Sequence, residues 1–124
     1  MNQPKCLPFP PAARFKRTEI QSIEFDGDLV IRIQAVGPST LRVIFHNPVW
    51  FRVLDERDLC EFWDNYHEGN GWLYEVEQGG WLELEKKRPL FNSHVVVKGL
   101  REYLLVDDQC VSILTVEHPE IISD

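Results

Sequence analysis

The stretch Leu29-Val30-Ile31-Arg32-Ile33-Gln34-Ala35-Val36 carries the reading of the fold. Leu29, Ile31, Ile33 and Ala35 alternate with Val30, Arg32, Gln34 and Val36. Successive side chains leave a strand on opposite sides, so a period of two rich in β-branched residues marks a strand with one face in a core. The pattern recurs downstream. Leu41, Val43 and Phe45 alternate with Arg42, Ile44 and His46, and Val49, Phe51 and Val53 alternate with Trp50, Arg52 and Leu54. The breaks at Asp26-Gly27-Asp28, Gly37-Pro38-Ser39 and His46-Asn47-Pro48 are built from turn residues.

Register follows from keeping apolar faces together. A three-residue loop at 26–28 sets Phe25 opposite Leu29 and Ile23 opposite Ile31, whereas a two-residue loop would set Glu24 opposite Leu29. The same test on Gln78-Gly79-Gly80 pairs Val76 with Leu82 and Tyr74 with Leu84. On Asp107-Asp108-Gln109 it pairs Val106 with Cys110 and Leu105 with Val111. Three bulged hairpins are the expectation.

Leu104, Leu105 and Val106, then Val111, Ile113, Leu114 and Val116, are apolar on both faces, which predicts two central, buried strands. Val95-Val96-Val97 reads as a further short strand, and Gly99 permits a bend after it. One segment reads helical: Asp55 can cap the stretch 56–66, where Leu59, Phe62, Trp63 and Tyr66 form a stripe at helical spacing. Residues 1–17 hold Pro4, Pro8, Pro10 and Pro11 and read as an extended arm pinned by Leu7 and Phe9. Residues 18–124 then form a single, mainly β domain. About nine antiparallel strands with one short inserted helix fit a β-sandwich or a partly open barrel.

At 124 residues the chain has the size of one domain, large enough to fold without disulfides or metal. The net charge of −7 is uneven: residues 1–17 carry +4 and residues 18–124 carry −11. A body that acidic argues against nucleic-acid binding, which needs a basic footprint. No apolar run approaches the roughly 20 residues of a membrane span, and no secretory signal opens the chain. Cys6, Cys60 and Cys110 form an odd set without paired spacing, which suits free thiols in the cytoplasm.

Candidate chemistry is sparse. His46, His67, His94 and His118 are scattered, without metal-ligand spacing, phosphate loop or nucleophile elbow. Arg32, Arg42 and Arg52 recur every ten residues. In a meander they would lie in a row across one face, answered by Glu75, Glu77, Glu83 and Glu85 or by an anionic ligand. Residues 55–68 hold Asp55, Glu56, Asp58, Glu61, Asp64 and Glu68 against Arg57 alone, a net charge of −5, with Trp63 and Tyr66 among them. A negative patch with aromatic anchors suits a basic protein partner. Alternation puts Trp72, Tyr74 and Val76 on a shared core face and leaves Trp81 as the exposed tryptophan.

The stretch Phe45 to Leu59, followed by the Trp72–Leu84 hairpin, resembles small uncharacterised bacterial proteins over residues 20–116. In type it is similar to immunity proteins encoded beside secreted toxins: small, acidic, cytoplasmic and poor in motifs. The resemblance implies a stoichiometric binder that covers a toxin's active site, and it implies no catalytic residue. The expectation is therefore a non-enzymatic, cofactor-free protein binder using Asp55, Glu56, Asp58, Glu61, Trp63, Asp64 and Tyr66. The alternative is a small-ligand or carbohydrate-binding module using Arg32, Arg42, Arg52 and Trp81. Trp50 and Leu54, on the face opposite Phe51 and Val53, leave a homodimer open.

Overall fold

The alternating stretches become strands wherever one face enters a core. The computed structural model describes residues 4–36, 39–55, 71–88, 98–107 and 109–123. Among these residues the chain forms β1 (Lys5–Pro8), β2 (Glu19–Asp26), β3 (Asp28–Ala35), β4 (Ser39–Phe45), β5 (Trp50–Asp55), β6 (Leu73–Gln78), a six-residue helix α1 (Trp81–Lys86), β7 (Arg101–Val106), β8 (Gln109–Thr115) and β9 (Glu120–Ser123). The helix read at 56–66 and the strand read at 95–97 lie outside the described residues. No described helix is long and apolar enough to cross a membrane.

The strands form two antiparallel sheets, one in the order β1-β6-β7-β8-β5 and one in the order β2-β3-β4-β9. This is a sandwich, and neither sheet closes into a barrel. Leu29, Ile31 and Ile33 of β3 and Leu41, Val43 and Phe45 of β4 face Tyr103, Leu105, Val111 and Ile113 of β7 and β8 in the main core. Each such side chain contributes roughly 1.5–3 kcal/mol by leaving water. The expected registers hold at two hairpins. Phe25 pairs with Leu29 and Ile23 with Ile31, around Gly27 at φ 78°. Leu105 pairs with Val111 and Val106 with Cys110.

The central strands β7 and β8 are buried on both faces. Away from the main core, Leu104, Val106 and Cys110 join Cys6, Tyr74 and Val76 in a second cluster, and Leu114 joins Trp81 in a third. Trp72 departs from its expected face. It precedes β6, packs in the main core beside Leu73, and its indole N–H donates to the Ala12 carbonyl at 2.9 Å.

Three further expectations are corrected. The Gln78-Gly79-Gly80 hairpin does not form: β6 lies between β1 and β7, and the stretch after the glycines is α1. From Trp81 to Arg88 there is no β-branched residue, and Leu, Glu, Lys and Arg are strong helix formers, so local preference and structure agree. The meander also stops at β4, because the chain crosses to the other sheet at residues 46–49. Val49 N–H donates to the Leu114 carbonyl, and β4 takes β9 as its second neighbour. The terminal strands β1 and β9, read as no strand from sequence, complete the two sheets as edges. Edge positions tolerate the prolines around β1 because one row of amides there need not pair. Phe9 is buried in the core, whereas Leu7 is exposed.

Candidate functional site

The outer face of the five-stranded sheet carries a row of side chains set by register. Cys6, Val76, Glu102, Leu114 and Trp50 lie side by side across β1, β6, β7, β8 and β5. The next row includes Tyr74, Leu104, Ser112 and Arg52. Helix α1 packs on this face, with Trp81 against Leu114 and with Trp50, Leu82 and Leu100 partly buried around them.

A cationic and aromatic cluster results. The Arg52 guanidinium lies 4.6 Å from the centre of the Trp81 ring. The Trp50 and Trp81 rings are 5.9 Å apart, and Arg88 lies 5.4 Å from the Trp50 ring. Glu85 joins the set by accepting from Trp81 Nε1 at 3.1 Å and from Arg88 Nε at 2.6 Å. The hydrogen bond from Arg88 is the main reason the Glu85 carboxyl is held below the usual carboxylate range, against partial desolvation. Stacking on a ring fixes a guanidinium's plane, so the arrangement can present oriented donors to a partner at little ordering cost.

Beneath the cluster sits Glu102, only 2% exposed. Its carboxylate accepts from the backbone amides of Trp81 at 3.1 Å and Leu82 at 2.8 Å, the first amides of α1. Burial pushes its pKa up, while those two amides and the nearby Arg52 pull the other way. Cys6, at the far end of the row, is a buried free thiol pushed up to about 12, by burial first and then by Glu102 and Glu77. A thiol so raised is a packing group rather than a nucleophile.

The predicted arginine row is not assembled. Arg32 and Arg42 do face each other across β3 and β4, but Arg42 then meets Ile122, and Arg52 meets Ser112 in the other sheet. Arg52 therefore sits on the opposite outer face of the sandwich. Arg32 is answered by Glu24 at 3.6 Å. Nor do the four hairpin glutamates share one face. Glu75 pairs with Arg101 at 3.3 Å, Glu77 with Lys5 at 3.5 Å and Glu85 with Arg88, while Glu83 accepts from the Gly79 amide. Trp81 was expected to be exposed and is 8% exposed, because α1 turns it onto the sheet under Arg52. The structure thus unites Arg52 with Trp81 and separates both from Arg32 and Arg42.

Of the acidic segment, Asp55 is the exposed last residue of β5, opposite Gln109. Glu56, Asp58, Glu61, Trp63, Asp64 and Tyr66 lie outside the described residues, as do His67, His94 and Cys60. His46 sits between Asp28 at 3.2 Å and Glu120 at 3.3 Å, and His118 Nδ1 meets the Tyr103 hydroxyl. Among the described residues no three His, Cys, Asp or Glu side chains are placed to hold a metal ion. No family model, curated protein or solved structure matches this chain.

Sequence reasoning missed Glu102, Trp50, Glu85 and Arg88 as members of one cluster. A signal existed for Glu102: it directly precedes the apolar run Tyr103–Val106 of a strand read as buried on both faces, where a carboxylate needs dedicated donors. For Glu85 and Arg88, the missing β-branching in 81–88 would have indicated a helix, with Trp81 and Glu85 one turn apart.

Proposed function

We propose that this chain is a non-enzymatic protein-binding domain of the immunity type, which meets a basic partner through the acidic segment 55–68. The observation that carries this reading is how the sandwich uses its own acids. Glu24, Glu75, Glu77 and Glu85 pair with Arg or Lys, Asp28 and Glu120 share His46, and Glu102 and Asp107 accept backbone amides. Residues 55–68, 14 of the 107 residues from 18 to 124, carry −5 of the −11 on that stretch. Charge concentrated in this way steers a basic partner and raises its association rate. Asp55, exposed at the end of β5, places the first of these acids on a fixed strand.

The test is affinity capture from the source cell with the native chain and with the triple variant Asp58→Lys, Glu61→Lys, Asp64→Lys. A basic partner held by the native chain, released by salt and lost by the variant supports the reading. Equal capture by both chains overturns it. The carbohydrate alternative is less favoured. A sugar ring stacks on an open indole face, and the Trp81 face is taken by Arg52.

A further inference from the structure

We propose that the cleft between the proline-rich N-terminal segment and the head of β6 binds an acidic peptide that inserts one ring-sized apolar side chain. The cleft holds about 140 Å³ and is walled by Phe9, Ala13, Phe15 and Trp72, with Lys16 and Arg17 at its rim. That volume admits one Phe or Leu side chain, and the lining is mixed, with Lys16, Arg17 and Thr18 beside the apolar walls.

The walls are already built. The Trp72 indole holds the Ala12 carbonyl at 2.9 Å, and Phe9 N–H donates to the Leu73 carbonyl at 2.9 Å. Phe15 N–H donates to the Ala12 carbonyl and Val36 N–H to the Lys16 carbonyl, each at 3.1 Å. A preformed site costs a ligand less ordering on binding.

The rim supplies the specificity. Arg14, Lys16 and Arg17 are exposed, and residues 1–18 contain no acid. Among the described residues the ion pairs of Lys and Arg engage Lys5, Arg32, Arg88 and Arg101 and none of these three. Arg14 lies over Phe15 at 4.7 Å, which extends the aromatic wall with a cation. Arg17 adopts φ +49°, a left-handed conformation uncommon outside glycine, and such strain concentrates at binding sites. Three cations beside an apolar slot fit two or three carboxylates flanking an apolar anchor. A long polyanion fits less well, because it would run onto a body of net charge −11.

The experiment titrates the full chain into a dye-labelled peptide, Gly-Asp-Glu-Phe-Asp-Glu, and reads fluorescence anisotropy. Saturable, salt-sensitive binding is expected, weakened about tenfold when the anchor Phe is replaced by Ala. The double variant Lys16→Glu, Arg17→Glu should weaken it at least as much. Arg17→Gly separates binding from folding, since glycine takes φ +49° without strain: its melting temperature should be retained while affinity falls. The variant reversed at Asp58, Glu61 and Asp64 should still bind this peptide, which keeps the site independent of the acidic segment. Equal affinity for a peptide with Lys in place of its acids, unchanged affinity in the rim variants, or displacement by an oligonucleotide of equal charge at lower concentration would each overturn the proposal.

Discussion

A side-chain carbon on Gly80 would lie 2.7 Å from Oε1 and 2.8 Å from Oε2 of Glu102. The glycine is therefore required by close approach: its φ of −107° is open to any residue, but the buried carboxylate occupies the space a Cβ needs. Val76 Cγ1, also at 2.7 Å, closes the same space. Gly80→Ala should destabilise the fold by about 1–3 kcal/mol, the usual cost of forcing atoms into a packed interior. Urea unfolding followed by tryptophan fluorescence measures it; an unchanged midpoint would show that α1 shifts freely.

Glu102 itself gives a pH prediction. Burial raises its folded-state pKa above the ordinary 4.5, so the folded state binds the proton more tightly than the unfolded one. Its contribution is then most favourable below pH 4.5 and declines as pH rises through the raised value. Glu102→Gln should flatten that decline in urea midpoints taken between pH 4.5 and neutrality. Glu102→Ala should cost about 1–3 kcal/mol, because the Trp81 and Leu82 amides lose their acceptor.

His46 ties β4 to Asp28 of β3 and Glu120 of β9. Its pKa is raised, by the hydrogen bond to Glu120 first and then by that to Asp28, while the Asn47 amide first and then His46 lower that of Asp28. The His46 contribution is complete below pH 6.5 and is lost as pH rises through the raised value. The Asp28 contribution is complete above pH 3.8 and is lost as pH falls through the lowered value. The melting temperature should therefore carry a plateau between these limits, and His46→Gln should lower it and remove the decline at its upper edge. An NMR titration of the His46 ring that gives a value at or below 6.5 would contradict it.

The contact of Arg52 with Trp81 should be measurable as a coupling. Trp81→Ala is expected to cost about 3–5 kcal/mol through the cavity it leaves under α1. A double-mutant cycle with Arg52→Met should return about 0.5–2 kcal/mol for the cation–π contact. A coupling near zero would mean that the two side chains are merely adjacent.

Much of the fold was legible because a period of two is a local property. The stretches 29–35 and 41–45 can satisfy their alternation only as strands, and keeping Phe25 with Leu29 selects one register. Burial of β7 and β8 on both faces could be read from Leu104-Leu105-Val106 for the same reason. The stretch 81–86 misled because Trp-Leu-Glu-Leu-Glu satisfies alternation and helix propensity at once, and the Glu102 carboxylate, which accepts the first two amides of α1, adds a tertiary contact on the side of the helix.

The candidate site was less legible, because it depends on which strand becomes whose neighbour. Arg32 and Arg42 meet through a hairpin, so spacing in the chain could place them. Arg52 is ten residues further on and lies in another sheet, since the edge of β4 is filled by β9, which is far away in sequence. By itself, then, the sequence determined a mainly β chain, two of its hairpin registers and the concentration of acid in 55–68. Only the tertiary structure decided that Arg52 belongs to Trp81 and that Lys16 and Arg17 border an aromatic cleft. Strand order and the docking of a short helix are set by burial between distant segments, a free energy that no local pattern encodes.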